Sequence, residues 1–414
     1  EVDGVLHLYD TKANQDHALD ITVPSDKVAT RAAEESVQDH VEGFALSANG
    51  KRAVFVARGD VFSVPLEHGI SLDLTHTPGA HERDATFSRD GKHVAYISDQ
   101  GGEEEIWTRD ADGGNAHQLT TDAMGRLWQP RWSPDGSRIA FNDKDSRLRI
   151  VASSGGPAPV VADDPGISRN DYAWSPGGHY LAYSLTNPDS LVPQLYVYDL
   201  TTAKSERVGD AVFDSYAPAF SPDGKYLYFL ADREWAPQLS SIEWDYATNR
   251  STEIYALALR TGLDNPFAPR NDSAAPAEKD AADKDASHAD DKKAKKEKLK
   301  APESINDHID FDGLAQRLIR VPIDADNIDA LVATPKELLY RISDAPYYGR
   351  DGASKPTVMA WSFKDRKADK VLEGADDFDV SADGGTLLAR SGKVWKRVDL
   401  GAGKPEAKDV KLDG

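Results

Sequence analysis

The sequence predicts an all-β fold, a β-propeller of seven blades with four antiparallel strands each. Three observations carry that prediction: a phrase recurring at blade-like spacing, period-2 patterning on both sides of it, and no convincing long amphipathic helix. The phrase reads FALSANGKRAVFVARGD at 44–60, ATFSRDGKHVAYISD at 85–99 and PRWSPDGSRIAFND at 130–143. It returns as YAWSPGGHYLAYS at 172–184, as PAFSPDGKYLYFLAD at 218–232 and, weakened, as FDVSADGGTLLARSG at 378–392. Its serines are Ser47, Ser88, Ser133, Ser175, Ser221 and Ser381, and the first four intervals are 41, 45, 42 and 46 residues. One four-stranded blade takes roughly 40–50 residues.

Each element then has a local reason. An apolar strand carrying Trp132, Trp174 or Phe220 enters the turn Ser-Pro-Asp-Gly or a variant of it. Pro presets φ, Asp bonds the turn with its side chain, and Gly takes the left-handed position. A second strand follows, alternating apolar residues such as Ile139 and Phe141 or Leu227 and Phe229. Third strands read DVFSVPL, EIWTRD, LRIVAS, QLYVYDL, EIYALAL and VWKRVDL, and fourth strands LDLTHT, HQLTT, PVVAD and ERVGD. Alternation between turn signals argues antiparallel β throughout.

From Ser221 to Ser381 the interval is 160 residues, too long for one blade. Residues 271–298 contain no Val, Ile, Leu, Met, Phe, Tyr or Trp, and 270–303 balance nine basic against nine acidic side chains. Such a stretch cannot bury enough apolar surface to offset its ordering entropy, so it reads as a disordered charged insertion at about 270–304. The segments 309–323, 330–342, 357–365 and 369–374 together are expected to form one degenerate sixth blade, and 376–412 a seventh. At the other end, DGVLHLYDTK and HALDITVPSD resemble third and fourth strands with no first or second before them. The expected organisation is therefore 1–36 as the tail of a preceding propeller blade with a linker, and 37–414 as the seven-bladed ring.

Composition narrows function. Of 414 residues, 49 are Lys or Arg and 70 Asp or Glu, a net charge of −21 that repels a phosphate backbone, so nucleic acid is not an expected partner. No run approaches 18 apolar residues, so no membrane-spanning helix is expected. Cysteine is absent, which excludes disulfides, zinc–thiolate sites and a cysteine nucleophile.

The phrasing ARGDVFSVPLEHG, LTHTPGAHERDATFSRDGKHVAYISDQGGEEEIW, APAFSPDGKYLYFLADRE and LAQRLIRVPI, in this order, resembles the tricorn protease family in its seven-bladed propeller. The severed blade LYDTK…ITVPSD is similar to the end of the six-bladed propeller that precedes it in that family. The resemblance implies a parent serine peptidase, a homo-hexameric hydrolase that cuts oligopeptides, with other domains of the same polypeptide supplying catalysis. It implies that this chain is a non-catalytic propeller guiding or filtering oligopeptide substrates, in the cytoplasm. A free-standing TolB-like propeller acting as a protein-binding scaffold is the alternative function, and the periplasm is the alternative location. None of the family's catalytic residues has a counterpart here.

Chemistry sought directly is mostly not found. The six phrase serines sit in turns that explain them, and no G-x-S-x-G elbow occurs. His81-Glu82-Arg83-Asp84-Ala85 is not H-E-x-x-H, the eleven histidines show no metal-ligand spacing, and no cofactor is expected. Arg58-Gly59-Asp60 falls between two strands, where a turn suffices. One surface remains. First strands of a propeller line the central channel, so the residues just before each phrase are the candidate lining: Glu82, Arg83, Asp84, Gln129, Arg131, Asn170, Asp171, Tyr216, Asp376 and Asp377, with Val41, Glu42 and Trp128 beside them. They are polar, mixed in sign and acidic on balance, which would disfavour acidic peptides.

Overall fold

The computed structural model describes residues 6–21, 37–122, 125–164, 171–209, 212–234, 237–239, 246–248, 250–269, 305–344, 355–401 and 405–412. The charged insertion expected at about 270–304 lies outside them, as do residues 22–36. Residues 1–37 and 38–414 form two separate compact units. In the first, strand His7–Asp10, inside the expected 3–12, pairs antiparallel with Gln15–Ala18, which starts before the expected second strand at 17–26 and shares only residues 17 and 18 with it; 22–26 lie outside the described residues.

The second unit holds seven four-stranded antiparallel sheets, spanning 41–73, 82–118, 127–163, 172–207, 214–320, 328–373 and 377–410, named blades 1 to 7 here. First strands of neighbouring blades touch one another, which places them innermost. Apolar residues on the two faces of each sheet are buried between adjacent blades. Seven clusters result, one per interface. Val54, Val56, Phe87 and Tyr96 join blades 1 and 2, for instance, and Ala182 and Leu195 meet Phe229 and Leu257 between blades 4 and 5. Blade 7 packs on blade 1 by the same device, with Leu388 and Trp395 against Leu46, Phe55 and Val64. The Trp395 ring meets Phe44 and Phe55 edge-on at 4.6 and 4.8 Å. No strand is exchanged between these two sheets among the described residues, so ordinary interblade packing closes the ring.

The phrase turns form as their chemistry dictates. In all six, the Gly three residues after the phrase serine has φ between 62° and 78° (Gly50, Gly91, Gly136, Gly178, Gly224 and Gly384). The phrase serine accepts from the backbone N–H five residues on, as Ser133 Oγ does from Arg138 at 3.0 Å, and donates to the turn carboxylate, as to Asp135 at 2.5 Å. Arg58 and Gly59, both at positive φ, make the two-residue hairpin turn that joins paired residues Ala57 and Asp60.

Blade 4 solves the same turn differently, because its phrase carries Gly177 where the others have Asp or Asn. Asp307, which follows the charged insertion, supplies the missing carboxylate: Ser175 Oγ donates to its Oδ2 at 2.7 Å, and His179 Nδ1 lies 2.7 Å from its Oδ1. A Cβ at position 177 would overlap that carboxylate. The returning chain is thus pinned to blade 4.

Segment 309–323 departs from expectation. The sequence places it in blade 6, but its strand Leu318–Arg320 pairs with Thr252–Ala258 as the outermost strand of blade 5. The excursion between those two strands hides their adjacency. Blade 6 starts at Ile328 and turns through Thr334-Pro335-Lys336-Glu337, where Thr334 Oγ1 accepts from Glu337 N–H at 3.0 Å, so no phrase is needed.

Candidate functional site

The innermost strands share an irregularity that sets the channel surface. In blades 2, 3 and 5 two residues oppose one: Asp84 and Ala85 face Tyr96, Gln129 and Pro130 face Phe141, and Ala217 and Pro218 face Phe229. The first residue of each pair is left-handed, at φ 50°, 52° and 49°. A bulge of this kind re-aims side chains and interrupts the ladder, and a non-glycine residue at positive φ is uncommon outside such settings. Two of the three bulges carry Pro, which has no N–H to lose there. Proline inside an otherwise alternating strand was the available sequence signal.

Side chains freed by the bulges tie neighbouring blades together. Asp84 Oδ2 accepts from Gln129 N–H at 2.9 Å, linking blades 2 and 3. Arg131 Nη1 donates to the Tyr172 carbonyl at 2.6 Å and its guanidinium lies 5.1 Å from the Tyr172 ring, linking blades 3 and 4. The Tyr172 hydroxyl returns the link by donating to the Gln129 carbonyl. Asp379 Oδ2 accepts from Leu46 N–H at 2.7 Å across the blade 7–blade 1 junction. Arg341 of blade 6 donates to the Asp376 carbonyl of blade 7 and to Asp329 Oδ1 at 2.8 Å.

The expected lining residues divide into two groups. Asp84, Gln129 and Tyr216 are half-buried on first strands, and Arg131, Asp171, Asp376 and Asp377 are exposed. Asp84, Gln129 and Arg131 are brought together around Tyr172, while Tyr216 turns to its own blade, its hydroxyl donating to Asp232 Oδ1 at 3.1 Å. Glu82 and Arg83 depart from expectation because both are buried. Glu82 Oε1 accepts from the hydroxyls of Thr77, in the segment joining blades 1 and 2, and of Ser98 in its own blade at 2.8 and 2.9 Å, and its N–H donates to the Gly59 carbonyl of blade 1 at 2.8 Å. Arg83 donates to Glu104 Oε2 at 2.7 Å and to the Leu127 carbonyl at 2.8 Å, toward blade 3. Charges expected at the rim serve the interblade seams instead. Asn170 lies outside the described residues. Glu42 is exposed, and Val41 and Trp128 are half-buried. Sequence reasoning misses Asp379, although it lies two residues beyond Asp377 and so on the same strand face.

Electrostatics follow from enclosure. Although Asp377 keeps access to solvent, desolvation by the protein around it raises its carboxyl above the ordinary carboxylate range, opposed by its own strand's Phe378 N–H and by Arg341 and Arg390. Asp379 is raised by the same cause, with Leu46 N–H and the Arg131 guanidinium among the groups working against it. The Tyr172 and Tyr216 phenols are both pushed up by burial, so both remain neutral donors. Among the described residues no group of three or more His, Asp or Glu side chains could hold a metal ion, and no helix is long and apolar enough to cross a membrane.

Comparison with known proteins agrees with this architecture. Over 346 residues the chain is 27% identical to tricorn protease homolog 1 of Streptomyces coelicolor, covering 80% of this chain and 31% of that protein. It is 21% identical to a putative tricorn-like protease C-terminal subunit of Sulfurisphaera tokodaii, over 93% of this chain and 41% of the relative. The chain therefore spans well under half the length of these relatives. The crystal structure of the tricorn protease superposes with a TM-score of 0.74 at 18% identity, covering 99% of this chain and 38% of that one. A family model described as the tricorn protease second beta propeller domain matches residues 41–401. Matched across nearly the whole ring, the chain belongs to the family of the tricorn protease second β-propeller domain.

Proposed function

We propose that this propeller guides and filters extended oligopeptides on their way to a catalytic domain carried elsewhere in a tricorn-like serine peptidase, and performs no chemistry itself. What supports the reading is a set of half-buried and exposed polar residues on the first strands or directly before them, Asp84, Gln129, Arg131, Asp171, Asp376, Asp377 and Asp379, in a ring of this family. Five carboxylates against one guanidinium make that lining acidic. In a confined path with low-dielectric walls the field of like charges is focused, so peptides rich in Asp and Glu are disfavoured and basic ones favoured. Backbone polar groups of an extended peptide find acceptors and donors in Gln129 and the neighbouring carboxylates. Other domains of the parent polypeptide supply the hydrolytic residues, and the parent assembles as a hexamer in the cytoplasm, as the family resemblance implies.

The test uses the full-length parent protein with Asp171→Asn and Asp377→Asn together. Turnover of an acidic and a basic oligopeptide of equal length is measured at low and high salt. The ratio of acidic to basic turnover is expected to rise several-fold at low salt and to converge with the parent ratio at high salt. An unchanged ratio at low salt rejects the filter.

A further inference from the structure

On the face that carries the phrase turns, a cavity of about 580 Å³ opens where the turns of blades 7, 1 and 2 meet. Ligand sites occupy about 300–1,000 Å³. Its lining departs from the repeat at every turn that contributes to it. Ala48 and Ala382 stand where the fuller phrase has Pro, which empties space. Arg89 stands at the same position of blade 2, which adds a cation. Asn49 replaces the turn Asp of blade 1, which removes an anion while keeping the turn bond from Ser47 Oγ at 2.9 Å. These four substitutions have no common structural requirement, since the other blades make the same turn without them. What they share is the charge and volume of one cleft.

The cations there stand apart from those of the other turns. In blades 2, 4 and 5 the basic residue after the turn meets a carboxylate: Lys92 lies 3.6 Å from Asp90, His179 2.7 Å from Asp307, and Lys225 3.1 Å from Asp223. In blade 1 the equivalent Lys51, and Arg89 beside it, form no ion pair among the described residues. Arg52 is held by its Nε and Nη2, which donate to Ser63 Oγ at 2.9 Å, the Ser63 carbonyl at 2.7 Å and the Ile70 carbonyl at 3.1 Å; none of these partners carries charge. The two carboxylates on the rim are engaged by their own turns. Asp90 Oδ1 accepts from Ser88 Oγ at 2.7 Å and Lys92 N–H at 3.1 Å, and Asp383 Oδ1 from Ser381 Oγ at 2.6 Å and Gly385 N–H at 2.9 Å. Phe87 and Ala111 supply an apolar wall.

We infer that this cleft is a docking site for an acidic segment of a polypeptide, its carboxylates meeting Lys51, Arg52 and Arg89 and an apolar side chain resting on Phe87. A positive cleft on a chain of net charge −21 selects such a partner against the repulsion of the remaining surface. The cleft shares no residue with the channel lining, so either reading can fail alone.

The experiment measures fluorescence anisotropy of a fluorescein-labelled Glu-Glu-Leu-Glu-Glu peptide with the whole chain in 50 mM NaCl, beside a Lys-Lys-Leu-Lys-Lys control. The acidic peptide is expected to bind, and the basic control not to compete for the cleft. Lys51→Glu with Arg89→Glu should weaken binding at least tenfold, and raising NaCl to 300 mM should weaken it several-fold. Asn49→Asp restores the turn residue of the other blades and should weaken binding with the fold intact, which covers the case of a poorly folding double variant. Asp171→Asn with Asp377→Asn should leave this binding unchanged. No binding of the acidic peptide, equal binding by all cleft variants, or a site filled by inorganic phosphate but not by peptide overturns the inference.

Discussion

Moving the carboxylate of Asp307 back into the phrase of blade 4 tests whether the turn chemistry, and not the local chain path, holds the returning strand in place. Asp307 is only 4% exposed and accepts a charge-assisted bond from Ser175, whose hydroxyl in turn accepts from Tyr180 N–H at 3.0 Å. Hydrogen bonds to charged groups contribute about 1.5–3 kcal/mol. Asp307→Ala should therefore lower the local opening free energy by that amount, and amide exchange at Tyr180 should speed up about 10- to 100-fold. Gly177→Asp alone should also destabilise, by about 1–3 kcal/mol, because its side chain enters space that Asp307 fills. Gly177 itself is not in the left-handed region, so Asp is sterically acceptable there once Asp307 is removed. The double change Gly177→Asp with Asp307→Gly should recover most of the loss, a coupling of about 1–3 kcal/mol. Hydrogen exchange read by mass spectrometry over residues 175–185 is the suitable assay, because it reports local opening without assuming that a repeat ring unfolds in one step. Exchange in the double variant as fast as in Asp307→Ala would refute the reasoning.

Three further outcomes are expected. Trp395→Ala removes a side chain that is 4% exposed and meets Phe44 and Phe55 edge-on, so it should cost about 3–5 kcal/mol and open the ring first between blades 7 and 1, seen as new protease cleavage there. Burial raises the Glu82 carboxyl above its ordinary 4.5, so the native state holds that proton more tightly than the unfolded chain; the stabilisation is full below about 4.5 and lost as pH rises through the raised value. Glu82→Gln should accordingly melt higher than the parent at pH 8, with the difference shrinking toward pH 4, and a pH-independent difference would contradict the sign. Asp84→Ala loses the bond to Gln129 N–H while keeping a left-handed residue without a turn-forming side chain, and should cost about 1–3 kcal/mol; Asp84→Asn, which tolerates that backbone and keeps an acceptor, should cost less by thermal melting.

The repeat was legible because its causes are local. A Ser-Pro-Asp-Gly turn needs its Gly at positive φ and its Asp beside the serine hydroxyl, and both requirements sit within four residues, so the blades announce themselves wherever the phrase survives. Where the phrase is absent, in blade 6, the sequence misassigned Leu318–Arg320, because strand pairing across a long excursion leaves no trace in local patterning. Asp307 illustrates the same limit: nothing near it in sequence says that it completes a turn 132 residues earlier.

For the candidate site, the chain alone determined which residues precede each phrase and hence which stand on first strands. It could not say which way they face. Strand alternation predicts orientation only while the ladder is regular, and the bulges at Asp84, Gln129 and Ala217 break it where the lining begins. Tertiary structure therefore decided that Glu82 and Arg83 are buried, that Asp379 reaches across to the Leu46 N–H of blade 1, and that Lys51 and Arg89, 38 residues apart, share one cleft. Backbone conformation is written by near neighbours, whereas burial and charge pairing depend on what the closed ring brings alongside.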